Sequence, residues 1–342
     1  MTADALRSLL ERRLVIVTGK GGTGKTTVSA ALALGAARAG RRVLVVEVGA
    51  DEQIPALLDP GGPAAGYQGR AISPNLSILR IDPFEALAEY LGLQLGVRQL
   101  VDLVLRSKAF RQLMTAAPGW RELITLGKIW HLAQLEPEPE TGARTQRDSD
   151  RRQGKSRRRF DLIIVDAPAT GHGVAFLDVP RVVVSAVRAG PLRAHTERVE
   201  QMIADPERTL VLPVTLAEEL PARETGELVA QVRDEMGVSI DRIVVNAVVG
   251  PLFPDEATDL DAALARLDAD LDIGQLPRPG ALAWCAGYLR ARHELNRRYI
   301  AEIQRTTRLP IVLLPRLSEG IQGPEQISSL ARSLLGAPVD AP

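Results

Sequence analysis

The sequence predicts an α/β chain built on a doubly wound, mostly parallel sheet of about eight strands, with helical insertions. Three observations predict it. Short apolar, β-branched runs recur along the 342 residues. They are apolar almost throughout instead of alternating, as strands covered on both faces are. Several lead into a glycine-containing turn and then a helical pattern, the rhythm of βα units.

In chain order the predicted strands are LVIVT (14–18), RVLVVEV (42–48), LSILRI (76–81), FDLIIVD (160–166), RVVVSAV (181–187), TLVLPVT (209–215), RIVVNAV (242–248) and PIVLLP (310–315). The alanine-rich stretch TTVSAALALGAARAG reads as a helix closed by Gly40. Residues 84–135 carry helical periodicity, with Val97, Leu100, Val101, Val104 and Leu105 on one face. Within them Trp120, Leu123, Leu126, Ile129 and Trp130 form a stripe that suits helical core better than an open groove. A second helical stretch covers 255–307. Both read as insertions on one domain spanning 1–342. Between them, residues 136–159 hold no apolar side chain but Ala143, so this reads as a mobile charged linker.

Composition removes several function classes. Lysine plus arginine equals aspartate plus glutamate at 42 each, without the basic excess of a general nucleic-acid binder. Cys285 is the single cysteine, which excludes an internal disulfide and a cysteine metal site within one chain. The opening MTADALRSLLERR lacks the apolar core of a secretory leader. No apolar run approaches the roughly 18 residues of a membrane span, so a cytoplasmic location is expected, with membrane contact indirect at most.

The chemistry concentrates in GKGGTGKTT (19–27), between a predicted strand and a predicted helix. Gly19, Gly24, Lys25 and Thr26 complete the phosphate-loop pattern G-x-x-x-x-G-K-S/T. Gly19, Gly21, Gly22 and Gly24 let backbone N–H groups converge on phosphate without obstruction, and Thr23 and Thr27 complete the stretch. Lys25 would reach the β- and γ-phosphates, and the Thr26 hydroxyl would hold Mg²⁺. Asp166, ending its strand at the same sheet edge, is the second candidate Mg²⁺ residue. Lys20 is surplus to the pattern.

Lys20 one residue after the first glycine completes K-G-G-x-G-K-T-T, the "deviant" Walker A signature. VDAPATGHG (165–173) is similar to the D-T-A-P-T-G-H-T segment of the ArsA-type ATPases, a family of arsenite-pump and tail-anchored-protein-targeting ATPases. The resemblance continues through DPERT (205–209), EELPARETGELV (218–229), VVNAVV (244–249) and PRLSEGIQGPEQI (315–327), nearly the whole chain. It implies an ATP- and Mg²⁺-dependent switch working as a homodimer, or as a dimer with a homologous subunit, coupled to an unidentified client. It further implies that Lys20 contacts phosphates in the partner's site, that Asn246 reads adenine and that the segment starting at Pro315 closes over the base. The same loop occurs in MinD/ParA-like positioning ATPases, which remain the alternative class.

Departures from the family pattern bear on chemistry. Gly49 stands where the family has the aspartate that positions the attacking water. Glu47 or Asp51 could serve instead, or the chain is a nucleotide sensor that does not hydrolyse. Tyr288 replaces the second cysteine of the family's zinc pair, so no zinc is expected, and Cys285 alone cannot make a metalloid site. Among the 84–135 residues only Met114 is a methionine, a poor match to an adaptable groove for membrane helices. His172 matches the family's histidine, while His131, His195 and His293 stand apart.

Overall fold

A computed structural model of the chain describes residues 9–49, 51–95, 107–108, 119–135, 159–168, 173–251 and 281–335. The strands are β1 (Leu14–Thr18), β2 (Val43–Val48), β3 (Arg70–Ser73), β4 (Leu76–Ile81), β5 (Leu162–Asp166), β6 (Thr209–Leu216), β7 (Ile243–Val248) and β8 (Ile311–Pro315). They form one sheet in the order β3-β4-β2-β5-β1-β6-β7-β8. Every neighbouring pair is parallel except the antiparallel edge pair β3–β4.

Alternate residues along each central strand face opposite layers. Leu14 and Ile16 of β1 join Ile163, Val165, Val211 and Ile243 in one cluster, while Val15 and Val17 join Ile164, Leu210, Leu212 and Val244 in the other. The first layer is covered by helices α4 (Trp120–Gln134), α5 (Gly173–Ala186), α6 (Pro191–Ala204) and α7 (Glu219–Val229), and by part of α8 (Ala281–Thr307). The second is covered by α1 (Lys25–Arg38), the short α2 (Ile54–Leu58) and α9 (Pro324–Leu334). Helix α3 (Pro83–Leu95) follows β4 and packs on α4. Each fully buried Leu, Ile or Val contributes roughly 1.5–3 kcal/mol relative to exposure, so removing a central strand's side chains from water drives the layering.

One predicted element needs correction and one strand was not predicted. RVVVSAV (181–187) is not a strand: residues 173–186 form helix α5. A short apolar run cannot be told from a helix flank by periodicity alone. Topology decides it, because β5 already lies between β1 and β2 and the chain must cross over the sheet to reach β6. Phe176, at 0% exposure, seals that crossover against the sheet, while Val182 is left 53% exposed. The missed strand is β3, RAIS, a short edge strand with alternating half-buried and exposed positions and no apolar run.

In α4, Leu126, Ile129, Leu132 and Ala133 are buried in the sheet-facing cluster. Their spacing places them on one side of the helix. Helix α8 is a single helix of 27 residues. It is tied to the strand ends by Asn296, whose Oδ1 accepts from the Val249 N–H at 2.9 Å and whose Nδ2 donates to the Ala217 carbonyl at 3.0 Å. The linker 136–158, residues 96–106 and 109–118, and residues 252–280 lie outside the described residues.

Because Leu126 is fully buried between α4 and the sheet, Leu126→Ala should destabilise the chain by about 2–5 kcal/mol in urea unfolding. A change below about 0.5 kcal/mol, the range of surface substitutions, would show that α4 is not part of the core.

Candidate active site

β1 is central, between β5 and β6, and its C-terminal end opens onto the sheet edge where ligands of doubly wound folds bind. Residues 19–24 turn there into α1. Gly19 has φ 148°, and a Cβ on it would come within 2.1 Å of the Val214 carbonyl oxygen on β6. Gly24 has φ 90°, and a Cβ there would come within 2.1 Å of the Asn246 amide nitrogen on β7. Gly19 therefore requires glycine on two counts, conformation and backbone space, and Gly24 requires it for its conformation. The loop closes around the Lys20 carbonyl, which accepts from the Thr23 hydroxyl at 2.9 Å and from Lys25 Nζ at 3.0 Å. No side chain caps the N-terminus of α1. Its first-turn N–H groups and positive dipole end are thus left for an anion.

Three neighbouring strands meet at this loop. The Thr26 hydroxyl donates to Asp166 Oδ2 at 2.7 Å and the Ser29 hydroxyl to Asp166 Oδ1 at 3.2 Å. Asn246 Nδ2 donates to the Thr23 carbonyl at 2.9 Å. Burial pushes the Asp166 carboxyl above its ordinary range, against hydrogen bonds from Thr26 and Ser29 and the Lys25 charge. Burial lowers the Lys25 amine, against the Asp166 charge. Gly21 and Gly22 are exposed at the loop tip, Thr27 is half-buried on α1, and Pro315 is exposed at the end of β8.

Glu47 lies beside Asp166 in register across β2 and β5 and is 3% exposed. Its Oε1 accepts from the N–H groups of Gln53 at 2.8 Å and Ile54 at 2.9 Å, so it caps α2. Its Oε2 is buried without a partner among the described residues, as is the hydroxyl of Thr18 at the end of β1. Desolvation outweighs the two N–H bonds and raises the carboxyl to about 7, with Asp166 and Glu52 adding to the rise. Asp51 is exposed on the loop after β2. The structure thus separates the two candidates: one buried and engaged, one in solvent. His172 lies outside the described residues.

Sequence reasoning missed three residues here. Ser29 stands one helical turn after Thr26 and shares its carboxylate, a signal readable from the i, i+3 spacing. Glu52 accepts from the N–H groups of Ala65 and Gly66, both at 2.6 Å, and from Arg80, fixing the chain after β2. Glu224 on α7 pairs with the Lys20 ammonium, across a sequence separation no local pattern reveals.

The donor set fits a triphosphate with Mg²⁺. Thr26 and Asp166 present hard oxygens already in contact, the arrangement Mg²⁺ takes when phosphates and waters supply its other ligands. Among the described residues no group of three or more His, Cys, Asp or Glu could hold a metal. Cys285 is a free, exposed thiol.

A glycine loop between a central parallel strand and an uncapped helix, with a carboxylate hydrogen-bonded to the helix's threonine, defines a phosphate-loop nucleotide-binding protein. The family model described as anion-transporting ATPase matches residues 12–194. ATPase BagA of Mycobacterium tuberculosis is 33% identical over 322 residues, 90% of this chain and 88% of that protein. A putative arsenical pump-driving ATPase of Aquifex aeolicus is 24% identical over 340 residues, covering 95% and 79%. ATPase GET3 of Kluyveromyces lactis is 26% identical over 274 residues, covering 69% and 72%. The chain belongs to the anion-transporting ATPase family, and it is an ATPase of that family.

Glu47 sets a pH dependence. Below about 4.5 its acid is protonated in both folded and unfolded chains; between about 4.5 and 7 only the unfolded chain releases the proton. Folded stability attributable to this residue therefore falls as pH rises through that window. In nucleotide-free, Mg²⁺-free protein, Glu47→Gln should gain stability over wild type as pH rises, reaching on the order of 3 kcal/mol above pH of about 7. Parallel stability–pH curves for the two proteins would contradict the raised carboxyl.

Proposed function

We propose that the chain is a nucleotide-driven switch in which two copies, or this chain and a homologous subunit, close over ATP and open after hydrolysis. The opening and closing would be passed to a partner protein. The observation that carries the reading is the glycine loop joined through Thr26 to Asp166 at the end of the adjoining strand. That loop binds the triphosphate through its N–H groups and Lys25. In this reading Thr26 and Asp166 would hold Mg²⁺, which would supply positive charge to the phosphate oxygens. Lys25 gives up its contact with the Lys20 carbonyl to reach the phosphates. In this reading Asn246 would face the adenine and the segment from Pro315 would close over it.

Lys20 is the residue that makes two copies necessary in this proposal. Its side chain keeps 45% of its accessible surface, so its ammonium can reach beyond its own subunit. A cation supplied in trans at the phosphates resembles an arginine finger, worth roughly 10³–10⁵ in rate. For the attacking water, Asp51 is the better placed carboxylate. Glu47 is engaged in capping α2 and its burial favours the neutral acid. Asp51, exposed on the loop after β2, is free to come within hydrogen-bond reach when that loop closes. Handling of membrane proteins belongs to the same proposal only through the resemblance of its motifs to the ArsA-type ATPases. Among the described residues, no helix is long and apolar enough to cross a membrane.

Steady-state turnover and sedimentation with Mg²⁺·ATP test the reading together. Wild type should double its mass with Mg²⁺·ATP, and Lys25→Ala should lose nucleotide binding. Lys20→Ala should lower kcat by about 10³-fold or more while ATP binding changes little. Asp51→Asn should also lower kcat, with Glu47→Gln nearer wild type. A Lys20→Ala chain that turns over normally contradicts the switch, and a wild type that stays monomeric with ATP contradicts its two-copy form.

A further inference from the structure

The Lys20 ammonium is not free above the loop: it is ion-paired with Glu224 on α7 of its own subunit. The other carboxylate oxygen of Glu224 is buried and has no partner among the described residues. The Lys20 carbonyl accepts from the Thr23 hydroxyl, a contact that persists when Lys25 turns to the phosphates, so the side chain is the part that swings. Glu224 is equally well placed from behind. Arg292 of α8 donates to Glu218, next to the start of α7, at 2.7 Å. A Cβ on Gly226 would come within 3.1 Å of Thr306 Cγ2, so α7 and α8 lie in close contact at that point. Asn296 then ties α8 to the ends of β6 and β7.

We propose that Glu224 is a positioning residue that retains Lys20 in its own subunit until a triphosphate competes for the ammonium. Helix α8, acting through α7, sets how firmly it is retained. The inference rests on the reading above, in which Lys20 serves the phosphates of a second subunit. One ammonium cannot neutralise Glu224 and a phosphate across an interface at once. Releasing it leaves a carboxylate half-buried and unpaired, a cost carried by the closed state alone. A ligand must exceed that cost to shift the population, and a triphosphate with its extra charge does so more readily than a diphosphate. The pair thus works against closure in the empty or diphosphate-bound chain. A partner that moves α8 would change the threshold for ATP.

The test is the Mg²⁺·ATP concentration at which the full-length chain dimerises, followed by sedimentation for wild type, Glu224→Gln, Lys20→Ala and the double variant. Glu224→Gln should lower the midpoint by about two- to fivefold, the range expected from one partly exposed ion pair. It should melt with wild type, and its effect should vanish in the Lys20→Ala background. Should Glu224→Gln melt early, Glu224→Asp, which keeps the charge and shortens the reach, should lower the midpoint by a smaller factor. An unchanged or raised midpoint in a wild-type-stable variant overturns the inference. So does an equal shift with Lys20 absent. A wild type that never dimerises removes the dimer reading and this one with it; a wild type that dimerises with Glu224→Gln unmoved removes only the role of Glu224.

Discussion

The backbone of residues 19–24 can lie where it does because no side chain stands at Gly19 or Gly24. Everything else at the site depends on that close approach. At Gly19 the loop lies against the Val214 carbonyl of β6, and at Gly24 against the Asn246 amide of β7. Thr26, at the start of α1, then meets Asp166 of β5. The loop is therefore held by strands on both sides of β1, and those strands are immobilised by two apolar layers. Rigidity of this kind matters for phosphate binding, since donors already in place need no reorganisation when charge arrives.

Preorganisation has an electrostatic cost, visible in the neighbouring carboxylates. Asp166 and Glu47 are adjacent across β5 and β2, and burial raises both. Asp166 is compensated by two hydroxyl donors and the Lys25 ammonium; Glu47 is compensated only on one oxygen, by the N–H groups at the start of α2. The Glu47 Oε2 and Thr18 hydroxyl at this edge are buried without a partner among the described residues. The same edge holds Lys20, neutralised by a carboxylate from α7 instead of by phosphate. The glycine loop and the helical layer are thus joined by one ion pair.

The central strands were legible in the sequence because burial on both faces demands uninterrupted apolar residues, as in LIIV of β5 and VLVV of β2. The phosphate loop was legible because its spacing follows from steric necessity at named glycines. Legibility failed where a residue's role is set by distant partners. RVVVSAV reads as a strand until topology requires a crossover helix there. RAIS carries too little apolar character to announce an edge strand. Glu47 stood out as a charge inside an apolar run, yet its use as a helix cap depends on how the chain turns after β2. The Lys20–Glu224 pair spans 204 residues and leaves no periodic trace.

A crystal structure of the chain with Mg²⁺ and a non-hydrolysable ATP analogue tests the central claim most directly. The account predicts a loop backbone within about 1 Å of the one described above, as preorganised sites show. Gly19 and Gly24 should still lie against Val214 and Asn246, with the phosphates on the α1 N-terminus. A loop that refolds around the nucleotide, or phosphates bound away from residues 19–27, would contradict it.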